Sequence, residues 1–248
     1  MQVSQFEIFR LVQRALEGLG AGYGVDRDGA RTIAWLEARG LPGLAPLAAD
    51  LADLEQGIRP PKLEPGEGAD LAIDAGGGSA IVFGGAVIDL VIGRAVSPGM
   101  GQARLRVRRC RSPLFLIPTA VENALTFAIA LAWRRLEVGV MARVETDGAL
   151  TLFLAPGEDL RTALLEPTTS DVEIHVASTS QALPPVPSGL VAVLDRDGLA
   201  HPLAQSLDHG VDVDPAIWRR LDEVAARVQV PASEESRLKG AGGGDANA

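Results

Sequence analysis

The stretch Trp35–Leu44, WLEARGLPGL, constrains the fold of this 248-residue chain more than any other part of it. Gly40 is typical of the residue that ends a helix, because glycine adopts the left-handed conformation there without steric cost. Leu41-Pro42-Gly43 then predicts a tight turn, and apolar residues at helical spacing resume directly after it. The pattern therefore predicts two helices that meet at a corner, which sets how the N-terminal helices pack on the rest of the chain.

The first 57 residues carry the pattern of three short amphipathic helices. Ser4 and Glu7 form a capping box, in which the serine hydroxyl binds a free backbone amide and the glutamate binds the amide of the serine. Apolar residues then follow at helical spacing until Gly20, and the next two apolar stripes end at Gly40 and Gly57. Because short helices cannot bury their apolar faces alone, we expect these three to form a cap on the residues that follow.

Residues 58–70 contain three prolines and two glycines and predict an extended crossing segment. From residue 103 onward, alternating apolar and polar residues indicate the strands of a sheet. The predicted strands span residues 71–74, 103–110, 114–117, 136–144, 149–154, 171–176 and 190–194. The predicted helices span residues 85–95, about 119–133 and 214–228. The expected fold class is α/β, with an N-terminal three-helix cap (1–57) on a mixed β-sheet with flanking helices (58–230). Residues 231–248 are polar and then glycine-rich, which predicts a flexible tail.

The charge balance disfavours several classes of function. Lys and Arg number 23 against 32 Asp and Glu, so the net charge of −9 opposes binding to nucleic acid or to an anionic membrane. The longest apolar run, Ala124–Trp133, is too short to span a bilayer, and the N-terminus lacks the basic and apolar regions of a signal peptide. A single cysteine, Cys110, suits a reducing compartment. We therefore expect a cytoplasmic protein with no nucleic-acid or membrane partner.

Five arginines lie within eight positions of this acidic chain. They are Arg104, Arg106, Arg108, Arg109 and Arg111, and strand alternation places the first three on one face. One interpretation is a solvated or edge face whose charges pair with neighbouring acids. The other is a hypothesis of function: guanidinium groups on one face bind an anionic ligand through its carboxylate or phosphate.

A few further residues are candidates for chemistry. His209 beside Asp208 fits an oriented base, and Cys110 lies among arginines that favour its thiolate, although exposed-loop and inert strand-end roles fit them too. Asn123 falls in the first turn of a predicted helix, a position that commonly faces ligands. The Gly76–Gly78 turn lacks the remainder of a dinucleotide or phosphate-loop motif. The sequence holds no cluster of histidines or cysteines with the spacing of a metal site.

Two stretches, 3–95 and 209–230, contain short motifs found together in one enzyme family. The motifs are Val3-Ser4-x-x-Glu7-Ile8, Ala38-Arg39-Gly40, Leu51-x-x-Leu54-Glu55-x-Gly57-Ile58-Arg59-Pro60, Ala72-Ile73-Asp74, and Gly210-Val211-x-Val213 with Trp218. They resemble the type-2 malate/L-lactate dehydrogenases, nicotinamide-dependent oxidoreductases with a non-Rossmann α/β fold. The resemblance implies an NAD(P) cofactor, a small 2-hydroxy or 2-keto acid as substrate, and a homodimer. The tail sequence, PASEESR followed by GAG, also resembles a short uncharacterised bacterial family.

The chain departs from the dehydrogenase pattern at the two positions where that family carries histidines. Where the family has Ser-His-Gly after the second helix, this chain has Leu41-Pro42-Gly43. In the neighbourhood of the family's Asn-His-Phe/Trp-Gly, this chain has Arg111-Ser112-Pro113-Leu114. Hydride transfer from an alcohol requires a group that takes the hydroxyl proton, and proline cannot do so.

Three hypotheses of function follow. The first is a catalytically degenerate relative of these dehydrogenases, which serves bacterial metabolism as a partner subunit or by binding a small anionic metabolite. The second is an active NAD(P)-dependent oxidoreductase that uses another base, with His209, Asp208 and Cys110 as candidates. The third is a structural or assembly module.

Overall fold

The computed structural model describes residues 1–64, 70–135, 138–165 and 169–228. The helices of this part of the chain are α1 (Gln5–Gly18), α2 (Val25–Ala38), α3 (Leu44–Leu54), α4 (Ala80–Ala95), α5 (Leu116–Asn123), α6 (Leu160–Leu165), α7 (Arg196–His209) and α8 (Pro215–Ala225). The strands are β1 (Gln2–Val3), β2 (Lys62–Glu64), β3 (Asp70–Asp74), β4 (Gln102–Arg111), β5 (Ala128–Arg135), β6 (Val138–Val144), β7 (Leu150–Leu154), β8 (Thr169–Ala177), β9 (Val191–Leu194) and β10 (Val211–Asp212). The tail predicted at 231–248 lies outside the described residues.

A mixed sheet of eight strands organises the chain, in the order β2-β3-β4-β8-β5-β6-β7-β9. Strands β3 and β4 run parallel, while the other neighbouring pairs run antiparallel. The expected fold class, a helical cap on a mixed sheet with flanking helices, is confirmed. No helix in the described part of the chain is long and apolar enough to cross a bilayer.

The helical cap forms as the sequence predicts. The amide of Glu7 donates to Ser4 Oγ at 3.2 Å and the amide of Ser4 donates to Glu7 Oε2 at 2.7 Å, which confirms the capping box at the start of α1. Helix α1 packs against α2 and α8, and the short pair β1–β10 joins the two ends of the described chain. Cap and sheet share one hydrophobic core. The domain boundaries proposed at 57 and 230 stay predictions.

The two faces of the sheet differ in character. Leu105, Val107, Ile129 and Val172 on the inner face are fully buried, and α4 and α5 pack on that side. The outer face carries small residues of β5 and charged residues of β4 and β8, with a small apolar cluster around Leu183. Open surface for a ligand therefore lies on the outer face.

Two sequence predictions are wrong in the middle of the chain. Residues 114–117 form the end of a 3-10 helix and the start of α5 where a strand is predicted. The helix predicted over about 119–133 ends at Asn123, and residues 128–135 form β5 between two other strands. A short, continuous apolar run fits a buried strand and a buried helix equally well, so periodicity does not separate them.

Helix α7 occupies a segment that the sequence predicts to be a loop. Asp195 Oδ1 accepts a hydrogen bond from the amide of Gly198 at 3.0 Å and so caps the helix. Pro202 lies within it and packs near Gly40 at the corner between α2 and α3. The polar composition of α7 and its internal proline conceal the helix in the sequence.

Candidate functional site

A cleft of about 620 Å³ lies on the outer face of the sheet. Its lining residues are Arg106, Ala132, Trp133, Arg134, Gly139, Val140, Met141, Ala155, Asp171, Glu173 and Pro187–Leu190, and we call it the outer-face cleft. The small residues Ala132 of β5 and Gly139 of β6 leave space above the sheet, and residues 187–190 of the loop before β9 line one side of the cleft. Its volume falls within the range of pockets that hold small molecules, roughly 300–1,000 Å³.

The arginine face of β4 borders this cleft, and carboxylates of adjacent strands pair with it. Arg104 donates to Glu173 at 2.7 Å. Arg106 donates to Asp171 at 2.9 Å, and Arg108 pairs with a carboxylate of β2. These side chains are about half exposed, so each ion pair contributes roughly 0–1 kcal/mol to stability. Paired charges account for the alternating arginines, and anion binding by the face stays a prediction.

Arg134 differs from the arginines of β4. Its side chain is exposed at the rim of the outer-face cleft, and no carboxylate pairs with it among the residues that the structure describes. Its backbone carbonyl accepts a hydrogen bond from Ser170 Oγ at 2.7 Å, which fixes the strand beneath it. A guanidinium group in this position is available to an incoming anion. The sequence marks it only as a charged residue at the end of an apolar run.

His175 lies on the same face, in an adjoining cleft of about 210 Å³. Its side chain is 24% exposed, and its Nε2 lies 3.7 Å from a carboxylate oxygen of Glu173. Burial lowers its pKa, and the charge of Arg104 lowers it further. The imidazole is therefore neutral near pH 7 and belongs to the ion-pair network of the outer face.

A second candidate site lies where the parallel strands β3 and β4 end. Ligands of α/β sheets commonly bind at such carboxyl ends, where helices begin. The Gly76–Gly78 turn leads from β3 into Ser79, the N-cap of α4, and Ser112 follows β4. We call the gap between these turns and α3 the strand-edge crevice, which is lined by Asp53, Leu54, Gly57, Ile58, Arg59, Gly76, Gly78, Ser79 and Val82. Its free volume is only about 10 Å³.

Asp50 of α3 reaches Ser79 from the buried side of this crevice. The residue is fully buried, and neither carboxylate oxygen makes a hydrogen bond of normal geometry. Burial raises its pKa to about 6, although the hydroxyls of Ser79 and Ser112 lie close enough to lower it in part. The sequence signal was an acid within the apolar stripe of a helix, three residues after Leu47 and four before Leu54.

The end of β4 carries an irregularity beside Asp50. The pairing register with β8 shifts between Val107 and Cys110, and both Arg109 and Ser112 take left-handed conformations. The Ser112 hydroxyl is buried without a hydrogen-bond partner. Left-handed backbone in residues other than glycine costs of order 1–3 kcal/mol and clusters at functional sites.

The prediction that neighbouring arginines favour the Cys110 thiolate is wrong. The side chain is fully buried and points away from the charged face. Burial raises the pKa of its thiol, and the carboxylate of Asp50 raises it further. Cys110 is therefore an inert core thiol.

The other predicted site residues lie apart from one another. Arg111 is the last residue of β4, where its Nε donates to the carbonyl of Gly77 at 3.2 Å and its guanidinium group lies 4.0 Å from the carboxylate of Asp53. Asn123 was expected in the first turn of a helix but is the last residue of α5, and its amide donates to the carbonyl of Thr119 at 2.9 Å. The side-chain amide of Asn123 is therefore used within the end of its own helix, and its binding of a ligand stays a prediction.

His209 and Asp208 occupy the last turn of α7, and both are exposed. No hydrogen bond or ion pair joins them in the described part of the chain. His201 lies on the same helix and is exposed as well. The predicted pair therefore lacks the fixed geometry of an oriented base.

The corner between α2 and α3 borders a third cleft, of about 230 Å³. Glu37 Oε1 accepts hydrogen bonds from the amides of Gly43 at 2.8 Å and Leu44 at 2.7 Å, so this carboxylate caps α3. Burial raises the pKa of Glu37. None of the three histidines lines this cleft, whose basic residue is Arg161.

The residues at the strand edge do not fit a nicotinamide dinucleotide. A cavity must offer roughly 10–15 Å³ to hold one water, and the strand-edge crevice offers about 10 Å³. The Gly76–Gly78 turn closes on itself, because the amide of Gly78 donates to the carbonyl of Ala75 at 2.9 Å. Among the described residues no group of three or more metal-ligating side chains comes together.

Comparison with solved structures assigns the fold to the class found in malate/lactate dehydrogenase-type proteins. A dehydrogenase from Sinorhizobium meliloti matches with a TM-score of 0.65 at 13% identity, over 91% of this chain and 99% of that one. Malate dehydrogenase from Pyrococcus horikoshii matches at 0.63 and 14%, over 94% and 97%. Delta1-piperideine-2-carboxylate reductase from Pseudomonas syringae matches at 0.58 and 14%, over 90% and 99%. At these identities the likeness shows the fold alone.

Sequence comparison matches a smaller part of the chain. A family model described as a protein of unknown function, DUF3726, matches residues 3–77, which include the helical cap and β3. No curated protein matches the sequence. The likeness to solved structures confirms the dehydrogenase-like fold that the sequence motifs predict.

Proposed function

We propose that this chain is a relative of malate/lactate dehydrogenase-type oxidoreductases that has lost hydride transfer and binds a small anionic ligand in the outer-face cleft. It acts in the cytoplasm, alone or as the partner of another subunit. The observation that carries the proposal is Arg134, a cation without a carboxylate partner among the described residues, at the rim of a cleft of about 620 Å³.

The composition of the outer-face cleft favours a small acid with an apolar part. Arg106 and Arg134 supply positive charge, and the carboxylates of Asp171 and Glu173 are already engaged by arginines of β4. Met141 and Leu190 add apolar surface. An anion at Arg134 gains a charge-assisted, two-pronged contact without breaking an existing pair.

The positions of the acids and bases support the proposed loss of hydride transfer. The strand-edge crevice is closed, and Asp50 beside it is fully buried. At the corner, Glu37 is engaged as the cap of α3. His175 is neutral but lies on the opposite, outer side of the sheet from these helices. A proton acceptor beside an open nicotinamide site is what the reaction needs.

Ligand-dependent unfolding tests the anion site. Purified protein is melted with a panel of 2-hydroxy and 2-keto acids at constant ionic strength, and the dissociation constant is obtained from the shift. We expect Arg134→Ala to weaken binding at least about tenfold, the loss of one charge-assisted pair. Arg108→Ala, on the same face but outside the cleft, serves as the matched control and should bind as the wild type does. Equal affinity in both variants would refute the site.

Nicotinamide chemistry is tested separately. The fluorescence of NADH and NADPH is titrated with the protein, and the same acids are screened for oxidation or reduction of the cofactor. We expect no turnover. Turnover that disappears in His175→Ala or His209→Ala would overturn the loss of catalysis and restore the oxidoreductase hypothesis.

A further inference from the structure

One more cleft, of about 220 Å³, lies between the end of α2, the end of α5, the turn from β6 to β7, and helix α7. We call it the α7 cleft, and its apolar wall includes the side chains of Val121, Leu150, Leu199 and Leu203. Its two charged residues are Arg39 and Arg196, and no acidic side chain lines it among the residues that the structure describes. A cleft that is apolar apart from two guanidinium groups favours an anion with an apolar part.

Arg39, the C-cap of α2, places a half-buried guanidinium group in this cleft. The group lies over the ring of Trp35, 4.1 Å from the ring centroid, and its Nη1 donates to the carbonyl of Trp35 at 3.3 Å. These two contacts hold the plane of the guanidinium group in place. Its Nε and Nη2 donate no hydrogen bond within the described part of the chain. The edge that carries these two nitrogens is therefore open to an acceptor.

The charge of Arg39 lacks a bonded counterion in the described residues. Burial lowers its pKa, and the exposed carboxylate of Glu122 acts on it through space without forming an ion pair. Arg196, in contrast, pairs with Asp147 at 2.7 Å, so its charge is already balanced. A charge that is partly removed from water without a bonded counterion lowers stability, and a bound anion offsets that cost.

We propose that the α7 cleft binds a small apolar carboxylic acid, whose carboxylate pairs with the Nε and Nη2 edge of Arg39. Two parallel N–H···O bonds from this edge match the two oxygens of a carboxylate. The hydrocarbon part of the acid lies against Leu199 and Leu203 of α7. The volume of about 220 Å³ is below that of pockets for drug-sized ligands, which begin at roughly 300 Å³, so the acid is about as large as a single ring.

This inference goes beyond the proposed function, because the α7 cleft and the outer-face cleft share no lining residue. The tryptophans also give each cleft its own fluorescent reporter. The chain has three: Trp35 lines the α7 cleft, Trp133 lines the outer-face cleft and Trp218 lies on α8. Replacing Trp133 and Trp218 by phenylalanine leaves Trp35 as the reporter, and replacing Trp35 and Trp218 leaves Trp133.

Titration with sodium benzoate tests the proposal, by fluorescence in the protein that keeps only Trp35 and by calorimetry in the wild type. We expect saturable binding, with uncharged benzamide and ring-free acetate each at least about tenfold weaker. Arg39→Gln should bind benzoate at least about tenfold more weakly. Arg31→Gln removes an exposed arginine of the same helix and should bind as the wild type does. Glu122→Gln should bind at least about twofold more tightly, because it removes a like charge near the ligand.

Several results would overturn the proposal. Benzoate that gives no saturable signal means that the cleft holds no such acid, and benzamide that binds as tightly means that Arg39 reads no charge. Equal affinity of folded Arg39→Gln and the wild type removes Arg39 from the site. If Arg39→Gln does not fold, Glu122→Gln decides, since an affinity that is unchanged or weaker contradicts an anion beside Arg39. A response of Trp133 without one of Trp35, lost in Arg134→Ala, would place the acid in the outer-face cleft instead.

Discussion

The sharpest test of the buried acid is the replacement Asp50→Asn, which removes its charge and keeps its shape. The ordinary pKa of this carboxyl is 3.8, and burial raises it to about 6 in the folded protein. Between these two pKa values, the Asp50 carboxyl is protonated in the folded state and already ionised in the unfolded state. Stability that is present below pH 4 is lost as the pH rises through 6. The size of the pKa difference corresponds to about 3 kcal/mol.

The assay is urea unfolding of the wild type and the variant between pH 4 and pH 8. We expect the two free energies of unfolding to diverge as the pH rises, with the variant gaining about 3 kcal/mol relative to the wild type by pH 7. Asp53→Asn removes the same charge from the partly exposed rim of α3 and controls for a general charge effect. The quantity compared is the pH dependence of the unfolding free energy. Its value at a single pH is less informative, because the aspartate and asparagine side chains at position 50 differ slightly in hydrogen bonding at every pH.

Two results would refute the reasoning. If the difference between the wild type and Asp50→Asn stays constant from pH 4 to pH 8, the folded and unfolded pKa of Asp50 are equal. If the difference grows in the other direction, the carboxylate is stabilised by its surroundings. In that case the hydroxyls of Ser79 and Ser112 outweigh burial.

Four further predictions concern the frame around the candidate sites. Glu37→Ala should lower the urea-unfolding free energy by about 1–2 kcal/mol, because α3 loses its cap; an unchanged value would contradict that role. Gly85→Ala should stabilise by about 0.5–1 kcal/mol in calorimetry, because its helix has open space there. Gly210→Ala should destabilise by at least about 1 kcal/mol, since its φ is +78° and a Cβ would lie 2.8 Å from the carbonyl oxygen of Val3. Cys110 should react with a thiol reagent only as fast as the protein unfolds; a faster native reaction would show that it is accessible.

The parts of the fold that follow from the sequence are those set by neighbouring residues. Ser4 and Glu7 lie three positions apart, so their capping box is visible in the chain and present in the structure. Residues 128–135 are the opposite case, because their identity as a strand depends on β6 and β8 on either side. An apolar run carries no information about such distant partners.

The same distinction applies to the candidate sites. The alternation of Arg104, Arg106 and Arg108 is local and predicts a charged face, which the structure contains. Their partners are remote: Asp171 is 65 residues from Arg106, so no spacing could reveal the ion pair. Arg134 becomes prominent only because the structure shows a cleft beside it and no partner for it in the described residues.

The corner at Leu41-Pro42-Gly43 and the buried Asp50 are parts of one arrangement. A Cβ at Gly43 would lie 3.0 Å from the carbonyl oxygen of Ile33, so α3 begins in close contact with α2. Glu37 then binds the first amides of α3 and fixes its direction. That direction places Asp50, two turns along, against the start of α4. The turn at Leu41-Pro42-Gly43 therefore has a structural role, because its geometry directs the Asp50 carboxylate against the strand edge.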